Sequence, residues 1–162
     1  MSGPAPEVLL TMPARPEGVG VVRQALAGMA DALDFDPTVL ADMKMAVTEA
    51  CTNVVVHAYD EDAGMLEVEM LADENGLTIV VRDHGAGIQP RPARSEPPAL
   101  GLGLPLIAAL SDAFELKGSA GQGTEVRMTF AYARVHDPAS ANPVTGTVGS
   151  DGRWDPEADD IA

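Results

Sequence analysis

The sequence predicts an α+β fold of two layers, in which helices cover one face of a mostly antiparallel sheet. Two segments with helical spacing of apolar residues follow an opening strand, and two pairs of strands joined by Gly-containing turns come after them. A short helix separates the two pairs. This order of strand, two helices, hairpin, helix and hairpin is typical of one helical layer packed on an antiparallel sheet.

The first half of the chain contains one strand and two helices. Residues 7–12 predict a short strand, and apolar residues recur at helical spacing over residues 18–33. Asp36 and Pro37 then predict the start of a second helix, with Asp36 as the N-cap and Pro37 in the first helical position. The apolar stripe of this second helix runs to about Ala58.

The second half contains the two hairpins. Residues 66–70 alternate as a strand with one exposed face, and the turn at residues 73–76 leads into a more buried strand at residues 77–82. The remaining predicted elements are a Pro-, Arg- and Gly-rich loop (83–100), a short helix (102–110), a strand (114–117), a Gly-rich turn (118–123) and a last strand with Val126, Met128 and Phe130 on one face.

The composition narrows the class of protein. The 162 residues include 10 Lys and Arg against 25 Asp and Glu, a net charge of −15. Affinity for nucleic acid comes mainly from cations that neutralise phosphates, so we expect no direct nucleic-acid binding. The single cysteine, Cys51, cannot form an internal disulfide, and no apolar run approaches the roughly 20 residues of a membrane span. With no export signal visible, we expect a soluble cytoplasmic protein.

The composition of the chain changes near residue 134, after which acidic and small residues predominate. Residues 135–162 contain six acidic residues and one Arg, are rich in small residues and Pro, and show no periodicity. We expect residues 1–134 to form the domain and residues 135–162 to be an acidic disordered tail. An inert solubilising tail is favoured over a partner-docking motif anchored on Trp154, the only Trp of the chain.

The second helix carries a polar strip beside its apolar stripe. Glu49, Asn53 and His57 are spaced i, i+4, i+8 and therefore share one side of the helix. They are either boundary residues that pair with backbone or water, or a site that faces a cleft. In a site, Glu49 could act as a general base, and the amide oxygen of Asn53 suits a hard cation such as Mg²⁺. Spacing alone leaves both interpretations open.

Three further motifs follow, each ambiguous by itself. Asp83 ends the buried strand and precedes Gly85 and Gly87, which indicates either a strand-terminating turn or a carboxylate beside closely approachable backbone. The GLGL run at residues 101–104 enters a helix, as in an anion site or a hinge. Thr124 opens the last strand, where its hydroxyl could contact a phosphate or belong to an ordinary turn. No phosphate-binding P-loop, dinucleotide fingerprint, serine-hydrolase motif or zinc-ligand pattern occurs in the sequence.

The four motifs together, in this order, resemble the GHKL ATPase superfamily. The runs EACTN at residues 49–53, HAY at 57–59 and GLGLPLI at 101–107 are similar to the anti-sigma factor serine-protein kinases of bacterial partner-switching systems. The resemblance covers roughly residues 7–132. It implies a Bergerat-type ATP-binding fold.

The resemblance also implies roles for individual residues. Asn53 would coordinate the Mg²⁺ that bridges the ATP phosphates, Glu49 would be the catalytic base, and Asp83 would accept from the adenine amino group. The remaining ATP-binding residues that it implies are His57, Gly85, Gly87, Gly101, Leu102, Gly103, Leu104 and Thr124. Arg91 and Arg94, in the short Pro-rich lid, either reach the γ-phosphate or are solvated, and solvation is favoured.

The implied reaction is γ-phosphoryl transfer from ATP to a Ser or Thr of a STAS-domain anti-anti-sigma protein. The kinase would otherwise bind and silence a sigma factor, and would be a homodimer. An alternative is a nucleotide-gated regulatory binding protein that transfers no phosphate. Glu49 favours the kinase, because a pure binder needs no base.

Overall fold

The computed structural model describes residues 7–59, 64–85, 103–118, 121–132, 147–148 and 154–155. The main body is a five-stranded sheet with the order β1-β2-β3-β5-β4, and every neighbouring pair in it is antiparallel. Its strands are β1 (Glu7–Pro13), β2 (Met65–Ala72), β3 (Gly76–Asp83), β4 (Ala113–Gly118) and β5 (Thr124–Ala131). Its helices are α1 (Pro16–Ala32), α2 (Pro37–Asn53) and α3 (Gly103–Leu110), with a π-helical turn, Val54–Ala58, directly after α2. The predicted α+β class is confirmed.

The core lies between the helices and one face of the sheet. Alternate residues of β2, β3 and β5 point into it, and the apolar stripes of the helices cover them. The largest fully buried side chains include Phe130, Met70, Ile79, Met43 and Leu26. Each such side chain contributes roughly 1.5–3 kcal/mol to folding, so this layer supplies most of the driving force.

The start of α2 follows the sequence prediction. Asp36 is the N-cap, and its carboxylate accepts from the Thr38 amide at 2.8 Å, with Pro37 in the first turn. Hydrogen bonds from the Thr38 hydroxyl and amide lower the pKa of Asp36. The cap satisfies one of the free N–H groups at the helix start and fixes where α2 begins.

The end of α2 differs from the prediction of one continuous helix to about Ala58. The α-helix stops at Asn53, and the next five residues form the π-helical turn. Such turns widen the helix locally and occur often at functional sites.

The C-terminal segment is described only in part. Thr147–Val148 (β6) pairs antiparallel with Trp154–Asp155 (β7) in a separate two-stranded ladder. The rest of the predicted tail lies outside the described residues, so its predicted disorder stays a prediction. None of the helices that the structure describes is long and apolar enough to cross a membrane.

The open face of the sheet carries an ion-pair cluster centred on Arg82. Its guanidinium contacts Glu125 at 2.7 Å, Glu69 at 2.8 Å and Glu67 at 3.0 Å, and its side chain is 25% exposed. The hydrogen bond to Glu125, with those to the other two carboxylates, raises the pKa of Arg82. Because these carboxylates belong to β2 and β5, the cluster joins both neighbours to β3 and fixes their register.

We expect Arg82→Met to lower the free energy of unfolding by about 1–2 kcal/mol at neutral pH, since three carboxylates then face one another without their cation. Arg82 lowers the pKa of Glu125, so Glu125 adds stability above the ordinary Glu pKa and loses it as the pH falls through its folded pKa. The difference between the two proteins should therefore shrink below about pH 4. Urea unfolding from pH 3 to pH 8 measures it.

Arg127→Met is the matched control. Arg127 lies on the same face, is 38% exposed, and contacts Glu115 and Glu125 only at 3.8 and 3.9 Å. Its loss should cost about 0.5 kcal/mol or less. If the two variants lose the same free energy of unfolding, Arg82 does not fix the register of the strands.

Candidate functional site

Glu49 and Asn53 lie side by side against the start of α3. Both side chains are half-buried on α2. A methyl group placed on Gly103, the first residue of α3, would lie 3.3 Å from Asn53 Nδ2 and 3.5 Å from Glu49 Oε2. The i, i+4 spacing therefore brings one carboxylate and one amide to the positive end of a helix dipole. Gly103 is buried there, and an added methyl group would be tight only against Asn53 Nδ2 and in ordinary contact with Glu49.

Neither side chain is engaged elsewhere in the described part of the chain. No hydrogen bond or ion pair joins the Glu49 carboxylate or the side-chain amide of Asn53 to another described residue. Their polar atoms reach solvent, since no buried side-chain nitrogen or oxygen among the described residues lacks a partner, and so they are open to water or to a ligand. Their placement suits contact with a bound molecule.

His57 lies within the π-helical turn that follows this pair. The wider turn has i→i+5 hydrogen bonds, so the four-residue spacing that aligns Glu49 with Asn53 does not carry on to His57. His57 is exposed, whereas the other two are half-buried. The structure brings Glu49 and Asn53 together, and a ligand role for His57 stays a prediction.

Cys51 lies on the opposite side of the same helical turn and is fully buried. Desolvation raises the pKa of its thiol to about 12. The thiolate is the reactive form of cysteine, so Cys51 is inert near neutral pH and serves as a small core residue.

Asp83 is the one charged side chain that is buried among the described residues, with 7% of its surface exposed. It ends β3, and its Oδ1 accepts from the Gly85 amide at 2.9 Å. No cation pairs with it in the described part of the chain. A buried carboxylate held by one backbone N–H retains acceptor capacity for a donor on a ligand.

Two glycines allow the backbone to close around Asp83. A Cβ on Gly85 would overlap the Ala58 carbonyl at the end of the π-helical turn, and a Cβ on Gly123 would overlap the Asp83 carbonyl. Gly123 also has φ of +79°, which favours glycine. These contacts bring together the π-helical turn, the end of β3 and the start of β5.

Thr124 lies directly opposite Asp83 in the β3–β5 ladder and is half-buried. A cavity of about 370 Å³ opens at this end of the sheet, and Asp83, His84, Gly123 and Thr124 are among its lining residues. The lining also includes Arg82 and Lys117 of the open face, and it does not reach Glu49 or Asn53. The cavity therefore adjoins Asp83 and Thr124 but opens partly on the open face of the sheet, away from Glu49 and Asn53.

Tyr59, the last residue of the HAY run, has no individual role among the sequence predictions. Its hydroxyl donates to the Met65 carbonyl at 2.6 Å and accepts from the His84 amide at 2.9 Å. His84 is 25 positions away in the sequence, so no local pattern could reveal the contact.

Several predicted residues lie outside the described part of the chain. Leu104, by contrast, lies inside the described part and is half-buried in the first turn of α3. The predicted residues that fall outside are Gly87, Arg91, Arg94, Gly101 and Leu102, and their roles stay predictions.

The chain is similar to proteins of one known family. A family model described as histidine kinase-like ATPase domain matches residues 12–130. Curated relatives include proteins named serine-protein kinase RsbW from Bacillus cereus strain AH820 and Bacillus thuringiensis strain Al Hakam. Each is 33% identical over 151 residues, which covers 86% of this chain and 93% of the relative.

A solved structure gives the same result for the fold. It contains the RsbU and RsbW domains of Rv1364c from Mycobacterium tuberculosis, with a TM-score of 0.63 and 25% identity. The match covers 80% of this chain and 32% of that longer one.

We expect Gly85→Ala to destabilise the protein by about 2–3 kcal/mol, because the added methyl group overlaps the Ala58 carbonyl and backbone must move. Urea unfolding followed by circular dichroism measures the loss. Gly28→Ala on α1 is the control, because the added methyl group would meet no atom within 4 Å beyond its chain neighbours and the backbone of its own helix. That change should raise stability by about 0.4–1 kcal/mol. If both variants are equally stable, the close approach at Gly85 is wrong.

Proposed function

The chain belongs to the histidine kinase-like ATPase domain family, and on that premise we propose that it is an ATP-dependent serine/threonine-protein kinase and anti-sigma factor. The observation that carries the proposal is the pair Glu49 and Asn53 at the start of α3, whose side chains have no hydrogen-bond partner among the described residues. The relatives named serine-protein kinase support it, since the alignment to them spans most of both chains.

The adenine base would bind at the end of β3. The Asp83 carboxylate would accept from the adenine amino group, and Gly85 and Gly87 would let the base approach the backbone. Thr124, opposite Asp83, would contribute its hydroxyl to the same pocket. The Asp83 carboxylate accepts from one backbone N–H and retains acceptor capacity for a base that carries a donor.

The phosphates would lie at the entrance of α3. The free N–H groups at a helix start and the helix dipole favour negative charge. The residues that would contact the phosphates are Gly101, Leu102, Gly103 and Leu104. This placement suits a chain with a net charge of −15 that lacks the lysine of a P-loop.

Asn53 fits a Mg²⁺ ligand by the chemistry of its donor, an amide oxygen on a half-buried side chain next to that entrance. The described residues contain no cluster of three or more His, Cys, Asp or Glu that could hold a metal alone. Mg²⁺ typically keeps waters and uses few protein ligands together with substrate phosphates. When bound, it would neutralise charge that develops on the phosphates.

Glu49 would act as the base. The hydroxyl oxygen of a Ser or Thr on the acceptor attacks the γ-phosphorus, the bond from that phosphorus to the bridging β–γ oxygen breaks, and ADP leaves. The hydroxyl proton passes to the Glu49 carboxylate. Positioning and charge neutralisation supply most of the catalysis in phosphoryl transfer, so one base suffices.

The acceptor would be a STAS-domain anti-anti-sigma protein in the cytoplasm, and the other partner a sigma factor bound by a homodimer of this chain. The acidity of the chain disfavours direct DNA binding, so an effect on transcription would pass through a protein.

We expect Glu49→Ala to lower phosphoryl transfer by about 10²-fold or more and to leave ATP affinity within about threefold, because the base acts on the acceptor hydroxyl. The assay mixes the protein with Mg-ATP and candidate STAS proteins and identifies phosphoserine or phosphothreonine by mass spectrometry. Glu17→Ala, an exposed acidic residue in the first turn of α1, is the control and should transfer normally. Tight ATP binding by the wild type with no transfer to any cognate acceptor would favour the nucleotide-gated binding protein instead.

We expect Asp83→Asn to weaken ATP binding by about tenfold or more, since the carboxylate would be replaced by an amide that presents one oxygen. Isothermal titration with Mg-ATP measures the affinity. Asp73→Asn is the matched control, because Asp73 also accepts backbone N–H groups but in the turn at the other end of β3. Unchanged affinity in Asp83→Asn would show that the base binds elsewhere.

A further inference from the structure

The Tyr59 hydroxyl joins segments that are distant in the sequence. Tyr59 directly follows the π-helical turn. Its hydroxyl donates to the carbonyl of Met65 at the start of β2 and accepts from the amide of His84, the residue after Asp83. One side chain therefore connects the end of the π-helical turn, β2 and the turn after β3.

The ring of Tyr59 is held in place as well as its hydroxyl. The ring is half-buried and packs against the core cluster. Gly64 lies so close to it that any side chain at position 64 would overlap the ring. A ring fixed by packing presents its hydroxyl at a defined point and loses little further freedom when it forms hydrogen bonds.

The contact with His84 acts on the peptide group that follows Asp83. Tyr59 holds the N–H side of this peptide, and the carbonyl side lies against Gly123. The next amide, that of Gly85, donates to the Asp83 carboxylate. The orientation of this carboxylate thus depends on where the peptide between Asp83 and His84 is held.

We propose that Tyr59 is a positioning residue of the ATP site, whose hydroxyl fixes the backbone after Asp83 and so orients the Asp83 carboxylate toward the adenine base. The inference rests on the proposed function. The hydroxyl already donates one hydrogen bond and accepts another, so it acts through Asp83 and has no part in proton transfer.

The test compares Tyr59→Phe with Tyr132→Phe. Tyr132 is the matched control because its hydroxyl also donates to a backbone carbonyl, that of Asp73, at 2.9 Å but at the far end of β3. Both variants keep the ring and lose one hydroxyl. The probe is a fluorescent N-methylanthraniloyl-ADP with Mg²⁺, and thermal unfolding of each variant is recorded in parallel.

We expect Tyr59→Phe to raise the Kd of the probe by about fivefold to tenfold and the KM for ATP by a similar factor, with kcat changed by less than about twofold. Tyr132→Phe should leave the Kd, the KM and kcat within about twofold of the wild type, although its Tm falls by about as much as that of Tyr59→Phe. In the absence of nucleotide, amide hydrogen exchange at His84 should be faster in Tyr59→Phe and unchanged in Tyr132→Phe.

The possible failures are distinct. If the wild type binds nucleotide and both variants bind it equally well, the positioning role is overturned while the proposed function stands. Unchanged exchange at His84 in Tyr59→Phe overturns the role without reference to nucleotide. If the wild type itself does not bind the probe, the proposed function falls and the inference falls with it.

Discussion

The structure depends on close backbone contact around the end of β3. Gly85 meets the backbone at Ala58, and Gly123 meets the carbonyl of Asp83, with no room for a side chain at either glycine. These contacts bring three segments together that are far apart in the sequence, and they bury the carboxylate of Asp83 among them. Since backbone atoms make the contacts, the arrangement depends on the absence of side chains at two positions more than on any particular side chain.

Helix α2 combines support of the fold with the candidate chemistry. Ala50 and Cys51 are fully packed in the core, while Glu49 and Asn53 on the next face remain without partners in the described part of the chain. Water can satisfy these two side chains, since no buried side-chain nitrogen or oxygen among the described residues lacks a partner, and the apolar stripe of the same helix packs into the core. The site is therefore carried by one of the best-packed helices of the chain, which gives its side chains a rigid base.

The parts of this structure that could be predicted from the sequence are those with a local cause. Periodicity gave the helices and strands, the Asp36–Pro37 pair gave the start of α2, and four motifs in order gave the family. The π-helical turn was missed, because the sequence of Val54–Ala58 is that of an ordinary helix and the change lies only in the spacing of the backbone hydrogen bonds. The Tyr59–His84 contact and the Arg82–Glu125 pair were missed because each joins residues that are distant in the sequence.

The pairing of β3 with β5 has a consequence for how the chain folds. β2 and β3 form a hairpin across a short turn, but Arg82 and Glu125, on adjacent strands, are 43 residues apart in the sequence. Closing so long a loop costs more conformational entropy and proceeds more slowly than forming a local hairpin. The ladder that sets Thr124 opposite Asp83 should therefore form late, so that the candidate site is completed only after the hairpin on which it is built.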